Sequence, residues 1–368
     1  MRRSIFVLIV ALAAISAYAQ APKYVYTEAS DLTLIGKLMP GMTSNPYHRV
    51  DTTHYSGFTR REAQLVTMSS GMGCVFKTNS KSISISVKYN HKDDHPNTND
   101  VSTQGFDLYI KQDGKWLWAA AGPYRRVQPS KPFVLIENMD GSEHECLLYF
   151  PTYSELKSVK VGVEKGSDMV SIENPFKYRI AVWGSSFTHG ASTSRAGMTY
   201  PAQFSRSTGL QMLSLGTSGR CRLQDYFCDV LVDVKADAFV FDAFSNSSAS
   251  MIHELLIPFV DRMIEAHPGK PMIFQQTIYR ERRNFNVKEN AREKAKMEAA
   301  EEVFAQMKSM PAGQEKYKDV YLIYPSATSE THEATVDGVH PDNYGYTLWA
   351  KSIEQPILDI LEKYGIRK

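Results

Sequence analysis

In the first half of the chain, apolar residues occur in short runs and alternate with polar positions. Ile83, Ile85 and Val87 are separated by serines, which is the two-residue period of a strand with one buried face. Asp113-Gly114 lies between two such runs and is typical of a tight hairpin turn. Many short strands separated by turns predict a β-sandwich. The predicted strands cover residues 64–69, 74–78, 82–89, 106–112, 116–120, 133–137, 144–150 and 158–163.

From about residue 178 the pattern changes to apolar strands that alternate with amphipathic helices. In the clearest helix, Ala295, Ala299, Val303 and Met307 recur at helical spacing against a charged background. The predicted strands are 180–183, 212–215, 238–242, 272–276 and 320–324, and the predicted helices are 198–207, 223–234, 251–266, 287–308 and 344–364. This alternation predicts an α/β fold with a parallel sheet in three layers.

We therefore expect two domains, a small β-sandwich over residues 24–172 and an α/β domain over residues 178–368. The segment around Asn174-Pro175 is the predicted linker. A chain of 368 residues is also longer than most single domains.

Residues 1–19 have the three parts of a signal peptide. Arg2 and Arg3 precede an apolar stretch, residues 5–14, which is too short to span a bilayer comfortably. Ala17-Tyr18-Ala19 matches a cleavage site. We expect cleavage after Ala19 and a periplasmic or secreted protein with no stable membrane insertion.

The charge balance argues against a nucleic-acid partner. The chain carries 42 Lys and Arg against 40 Asp and Glu, a net charge of +2. Removal of Arg2 and Arg3 with the signal peptide brings this to zero. A nucleic-acid-binding protein normally shows a basic excess.

The four cysteines leave disulfide pairing open. Export permits disulfides. Cys221 and Cys228 lie seven residues apart in a predicted helix, about 10 Å along its axis, which is too far for a bridge. Cys74 and Cys146 lie in the N-terminal half and could pair.

Two features of the N-terminal half have competing interpretations. Trp116 and Trp118 share one face of a strand and could form a sugar-stacking platform, although core packing is favoured. The segment His91–His95 could bind a metal, although a polar loop between strands is favoured. We expect no metal ion and no organic cofactor.

Polar residues follow several strands of the predicted parallel sheet. Ser185 and Ser186 follow the first, and Gly219 follows the second. Asn246 follows the third, and an Asp-x-x-His sequence, Asp337 to His340, precedes the last helix. Because the carboxyl ends of parallel strands meet at one edge of a sheet, these residues are predicted to form a site.

These residue types suit ester cleavage. A serine becomes nucleophilic when a base accepts its proton. His340 is the natural base, and Asp337 can orient its imidazole. His189 is a less favoured base, because it has no acidic neighbour in the sequence. The backbone N–H groups of Ser186 and Gly219 and the amide of Asn246 can bind the oxyanion.

The four blocks resemble those of the SGNH (GDSL-type) hydrolases. The resemblance implies that Ser186 is the nucleophile and that Ser185 stands where the family often has aspartate. The third block, residues 242–247, departs from the family's Gly-x-Asn-Asp form. Gly105 to Tyr109 reads Gly-Phe-Asp-Leu-Tyr, which is similar to the GxDLY motif of a small β-sandwich domain that precedes serine-esterase domains in bacterial proteins.

The resemblance implies an exported serine esterase that works through an acyl-enzyme and deacetylates a carbohydrate. One alternative is a lipase or phospholipase-type acylhydrolase, although the sequence shows no clear apolar lid. Another is a carbohydrate-binding protein with a degenerate hydrolase domain. The basic loop 277–286, with Arg280, Arg282 and Arg283, either favours a polar or anionic substrate or is a solvated surface. The natural substrate and the oligomeric state stay open.

Overall fold

The computed structural model describes residues 23–123 and 131–368. The predicted signal peptide, residues 1–19, lies outside them. Within the two described ranges, no helix has the length and apolar character needed to cross a membrane.

The N-terminal half forms two antiparallel sheets. Its strands are β1 Tyr24–Glu28, β2 Thr33–Ile35, β3 Gly73–Thr78, β4 Ile83–Lys92, β5 Phe106–Gln112, β6 Lys115–Gly122, β7 Phe133–Ile136, β8 His144–Tyr149, β9 Ser154–Glu164 and β10 Met169–Ser171. Its helices are α1 Arg60–Thr67 and α2 Asp100–Thr103. One sheet has the order β1-β9-β4-β7, and the other has the order β10-β3-β8-β5-β6 with β2 beside β3.

The prediction of a strand at residues 64–69 is wrong, because α1 occupies most of this segment. Thr59 caps the helix by accepting a hydrogen bond from the backbone N–H of Glu62, whose side chain bonds back to Thr59. This reciprocal arrangement is a capping box, which marks the start of a helix. Leu65 and Val66 then lie on its buried face.

The C-terminal half forms a five-stranded, fully parallel sheet of order β12-β11-β13-β14-β15. The strands are β11 Lys177–Gly184, β12 Leu210–Gly216, β13 Ala238–Asp242, β14 Met272–Gln275 and β15 Val320–Ile323. The helices are α3 Ser186–His189, α4 Tyr200–Thr208, α5 Asp225–Val232, α6 Ala249–Ala266, α7 Val287–Ser309, α8 Gly313–Lys316 and α9 Asn343–Glu362.

Helices cover both faces of this sheet. On one face, Trp183, Phe241 and Phe274 pack with residues of α5, α6 and α7. On the other face, Val182 and Val240 pack with residues of α4 and α9. The predicted three-layer α/β fold preceded by a β-sandwich is therefore confirmed. The domain boundaries 24–172 and 178–368 stay a prediction.

The sheet that contains β3, β5 and β8 is buried on both faces. One face packs against the other antiparallel sheet to form the sandwich core. From the opposite face, Tyr109 and Tyr149 pack with Ala196 and Ala202 of the C-terminal half. The sandwich therefore packs directly against the α/β domain.

All four cysteines are free and buried. Cys74 pairs across the ladder with Leu148, and Cys146 pairs with Phe76, so the two cysteines are offset diagonally. Cys221 precedes α5 and does not lie in a helix with Cys228. Disulfide formation between Cys74 and Cys146, which the sequence left open, is absent among the described residues.

Candidate active site

The candidate nucleophile lies in a tight turn at the end of β11. Ser185 caps α3, and its hydroxyl accepts a hydrogen bond from the N–H of Phe187. Ser186 is the first residue of α3. The end of β12 comes very close to this turn, because a Cβ on Gly216 would lie 2.1 Å from the backbone nitrogen of His189. Gly216 thus permits the close packing that places the turn against the sheet.

A continuous chain of hydrogen bonds joins Ser186, His340 and Asp337. Ser186 Oγ lies 3.0 Å from His340 Nε2. His340 Nδ1 lies 2.8 Å from Asp337 Oδ2. With Nδ1–H donating to the carboxylate, Nε2 is free to accept the serine proton. The structure thus brings together the three residues that the sequence predicted as nucleophile, base and orienting acid.

Backbone N–H groups of its own loop hold the Asp337 carboxylate in place. The backbone N–H groups of Val339 and His340 donate to Asp337 Oδ1 at 2.9 and 2.7 Å. Partial burial acts to raise the pKa of Asp337, but the hydrogen bonds from the His340 backbone and ring outweigh it and lower the pKa below its ordinary value. Asp337 is therefore ionised at neutral pH.

A buried glutamate, which the sequence analysis did not select, organises the loop that carries Asp337 and His340. Glu281 Oε1 accepts hydrogen bonds from the Thr328 hydroxyl and the Ala334 N–H. Glu281 Oε2 accepts one from the Thr335 hydroxyl at 2.7 Å. These contacts connect the loop before α9 to the loop after β14.

Ser185 does not compete with Ser186 for the base. Its hydroxyl donates to Asp242 Oδ2 at 2.8 Å, and its backbone N–H donates to the same oxygen at 3.1 Å. Asp242 is buried and also accepts hydrogen bonds from Thr188 and Ser245. The sequence analysis did not select Asp242 for a role, although it ends a predicted strand at the same edge as Ser186.

The three predicted oxyanion donors lie around the same edge. As the first residue of α3, Ser186 has an N–H group without an intrahelical acceptor. Gly219 has a φ of +71° with open space where a Cβ would be, so its backbone conformation is what favours glycine. Asn246 Oδ1 accepts a hydrogen bond of 3.4 Å from Cys221 N–H, which leaves its amide nitrogen available as a donor.

The surroundings of His189 fit a structural role and not that of the catalytic base. It is fully buried, and its ring lies 4.2 Å from that of Tyr153 in a stacked arrangement. Its Nε2–H donates to the Thr152 carbonyl at 2.8 Å. Burial, with a smaller effect from the charge of Arg49, lowers the pKa of His189 well below its ordinary value. The ring is therefore neutral and bonded away from Ser186.

A loop of the N-terminal half reaches the candidate triad. Asn97 Nδ2 donates to Asp337 Oδ2 at 2.6 Å. The ring of His95 lies 6.3 Å from the ring of His340, edge to face. Burial, and then the charge of His340, lower the pKa of His95. The segment His91–His95 was weighed only as a metal site or a polar loop, and no sequence signal indicated that this region contacts residues about 240 positions away.

The Gly-Phe-Asp-Leu-Tyr motif holds the two halves together. Asp107 is fully buried and accepts hydrogen bonds from Arg195 at 2.9 Å, from Gly197 N–H at 2.8 Å and from the Trp118 indole at 3.1 Å. Arg195 also donates to the Tyr109 hydroxyl. Trp118 is 51% exposed and lies under Arg195. The favoured interpretation of Trp118 as a core residue is therefore wrong, since it belongs to the interface with Arg195.

Comparison with known proteins was made for sequence and for structure. The profile of the GDSL-like lipase/acylhydrolase family matches residues 177–358, and the profile of the GxDLY N-terminal domain of SGNH-hydrolase-type esterases matches residues 23–169. A crystal structure from Bacteroides ovatus ATCC 8483, assigned to the GDSL-like lipases, is 38% identical with a TM-score of 0.85. The alignment covers 92% of this chain and 98% of that chain. The chain belongs to the GDSL-like lipase/acylhydrolase family.

This GDSL-like protein is therefore a serine ester hydrolase. More distant structures share its fold across both halves. A salicylyl-acyltransferase from a tetracycline biosynthetic pathway is 16% identical with a TM-score of 0.69, covering 94% of this chain and 99% of that chain. A family two carbohydrate esterase from Cellvibrio japonicus is 10% identical with a TM-score of 0.57, covering 92% and 98%.

A family two carbohydrate esterase from Clostridium thermocellum, in complex with cellohexaose, is 13% identical with a TM-score of 0.55, covering 80% of this chain and 93% of that chain. Comparison with curated protein sequences gave no significant match.

Proposed function

We propose that this GDSL-like hydrolase is an exported esterase that removes an acetyl group from a carbohydrate through an acyl-enzyme on Ser186. The observation that carries the proposal is the chain of hydrogen bonds from Ser186 through His340 to Asp337. Cleavage of a carboxylic ester through a serine acyl-enzyme uses a nucleophile, a base and an orienting acid in this geometry.

In the first step, His340 Nε2 accepts the proton of Ser186 as Oγ attacks the ester carbonyl. The imidazolium that forms is stabilised by Asp337, and the developing oxyanion is bound by Ser186 N–H, Gly219 N–H and the Asn246 amide. His340 then gives the proton to the leaving alcohol. A water molecule then attacks the acyl carbonyl while His340 accepts its proton. His340 returns this proton to Ser186 Oγ as the bond from Oγ to the acyl carbon breaks and the acyl group leaves as a carboxylic acid.

The carbohydrate part of the proposal rests on three supports. The N-terminal 19 residues have the pattern of a signal peptide, which favours an extracellular or periplasmic polymer as substrate. The family two carbohydrate esterases share the fold of both halves. Arg222, Asn246 and Arg280 also line the pocket beside the site, and their side chains can hydrogen-bond to a polar substrate.

Hydrolysis of 4-nitrophenyl acetate by the wild type and by Ser186→Ala tests the esterase. We expect the variant to retain the wild-type fold by circular dichroism and to lose hydrolysis. Equal rates would refute a role for Ser186 in the reaction and would favour the binding-protein alternative.

A chain-length series from nitrophenyl acetate to octanoate tests the acyl group. We expect kcat/KM to fall with chain length, and a preference for octanoate would instead indicate a lipase. Acetate release from a panel of acetylated polysaccharides then tests the alcohol side. Release from none of them, with nitrophenyl acetate still hydrolysed, would remove the carbohydrate from the proposal.

A further inference from the structure

A pocket of about 410 Å³ opens beside the predicted oxyanion donors. Gly219 and Asn246 belong to its lining, so the pocket borders two of the three predicted oxyanion donors. The rest of the lining that bears charge comes from Arg222, Arg280, Arg292 and Lys296. We call this space the anion pocket.

The lining of the anion pocket carries four cationic side chains and no carboxylate. Arg280 and Lys296 are almost fully buried, at 7% and 6% exposure. Both pair with Glu293, which is itself fully buried behind them. One carboxylate therefore faces two buried cations. Arg292 lies 3.6 Å from the same carboxylate and pairs more closely, at 2.5 Å, with Glu289.

The guanidinium groups at this pocket also have unused donors. Within residues 23–123 and 131–368, Arg222 Nε and Arg280 Nε are buried without a hydrogen-bond partner. An unsatisfied buried donor costs free energy, so the protein itself leaves part of the hydrogen-bonding capacity of these two pocket-lining arginines unused. Burial, and then the charge of Arg280, lower the pKa of Lys296, while the charge and hydrogen bond of Glu293 act to raise it.

Arg280 comes from the basic loop 277–286, which the sequence left as either a substrate contact or a solvated surface. Arg283 of the same loop is also buried, and it donates to Asn290 at 2.8 Å. Arg282 pairs with Glu289. Only Arg280 of these three lines the pocket, so the loop presents one arginine to the site and anchors itself with the other two.

We propose that the anion pocket binds a carboxylate of the ester substrate and so selects negatively charged esters. The inference rests on the proposed esterase function and names its substrate class more closely. The carboxylate can belong to the alcohol side, as in an acetylated sugar acid, which agrees with deacetylation. It can also belong to the acyl chain, in which case the acyl group is that of a dicarboxylic acid instead of acetyl. Both sources present the same group to Arg222, Arg280, Arg292 and Lys296.

Two matched pairs of esters distinguish these sources. One pair is an acetylated methyl glucuronoside and its methyl ester, which differ only in a carboxylate on the alcohol side. The other is the mono-4-nitrophenyl ester of adipic acid and its methyl ester, which differ only on the acyl side. We expect the charged member of one pair to have a kcat/KM about tenfold or more above its neutral partner, the range expected for charge-assisted hydrogen bonds.

Removal of single charges then tests the pocket itself. Arg292 has a side chain that is 52% exposed, so Arg292→Gln can be made without burying a new group. Arg222→Gln removes a second, independent cation. In each variant we expect the charged-to-neutral ratio of kcat/KM to fall about fivefold or more. Because salt screens charges, the wild-type ratio is also expected to fall between about 0.05 and 0.5 M NaCl.

Arg367→Gln is the matched control. Arg367 is 71% exposed and lies beyond the C-terminal end of α9, a helix of 20 residues that is about 30 Å long and begins beside His340. This variant should keep the wild-type ratio. Two results would overturn the anion pocket: a ratio near one in both pairs, or a raised ratio that neither Arg222→Gln nor Arg292→Gln changes. In either case, Ser186-dependent hydrolysis of the neutral esters would still support the esterase. Hydrolysis of none of the four esters would overturn both.

Discussion

The two halves of the molecule supply the site in different ways. The parallel sheet provides Ser186, Gly219 and Asn246 from loops that follow neighbouring strands, so the register of β11, β12 and β13 sets their positions. The sandwich provides Asn97 and His95 from a loop between β4 and α2, which reaches His340 and Asp337 only because the halves are docked. We infer that one half carries the chemistry and that the other positions it.

The largest effect is expected where the chemistry lies. Ser186→Ala and His340→Ala should each lower kcat for nitrophenyl acetate by about 10⁴-fold or more, because the nucleophile and base act as a unit. The double variant should be little slower than either single variant. Steady-state kinetics of the three variants measures this, and full additivity of the two losses would contradict a shared mechanism.

Substitution of Asn246 tests whether the third block, which departs from the family's Gly-x-Asn-Asp form, still supplies a donor to the oxyanion. Asn246→Ala should lower kcat by about 10²- to 10³-fold with a much smaller change in KM, because an oxyanion donor acts mainly in the transition state. Its amide oxygen already accepts from Cys221 N–H, so the melting temperature should be measured as well. A loss of stability with unchanged kcat would make Asn246 a structural residue.

Substitution of Asp107 tests how much the contacts between the sandwich and the α/β domain contribute to the free energy of unfolding. Asp107→Asn should lower the free energy of unfolding by about 3 kcal/mol, because it leaves the partly buried Arg195 without its charge partner. Urea unfolding measures this. Glu145→Gln on the neighbouring strand β8 removes the partner of Lys111 from a pair whose side chains are both about one third exposed, and it should cost less than about 1 kcal/mol. Equal costs would contradict the importance of the buried contact.

Asn97 tests whether docking of the sandwich matters for catalysis. Asn97→Ala should lower kcat by about tenfold and leave KM nearly unchanged, because Asp337 would lose a donor that holds it towards His340. Asn90→Ala is the matched control, since Asn90 also donates to a carboxylate, that of Glu155. If both variants retained wild-type kcat, positioning by the sandwich loop would be refuted.

The parts of the site that sequence alone predicts are those that depend on local pattern. The carboxyl ends of parallel strands meet at one edge, so the strand pattern by itself places Ser186 near Asn246, and the Asp-x-x-His spacing joins Asp337 to His340. Asn97 and Glu281 could not be found in this way. Their partners are set by how the halves and loops dock, and a polar residue in a polar loop carries no local sign of its partner.

Local capping and short strand length explain where the observed fold differs from the sequence prediction. Residues 64–69 alternate in a way that also suits a helix with one buried face, and the capping box formed by Thr59 and Glu62, just before this segment, decides for the helix. The strands β1, β2 and β10 have only five, three and three residues. At that length an alternating pattern is too short to stand out, and pairing with β9 and β3 defines them.

The smallest effect is expected from reduction, although the predicted export would permit disulfides. Cys74 and Cys146 are fully buried in the sandwich core, and burial raises the pKa of the Cys146 thiol to about 12, so the thiol stays protonated and unreactive. Dithiothreitol should therefore leave the melting temperature of the mature protein unchanged. A disulfide that closed the loop of about 70 residues between them would contribute about 4 kcal/mol, and its reduction would lower that temperature by several degrees. Such a drop, or fewer than four titratable thiols after denaturation, would contradict the free cysteines of the structure.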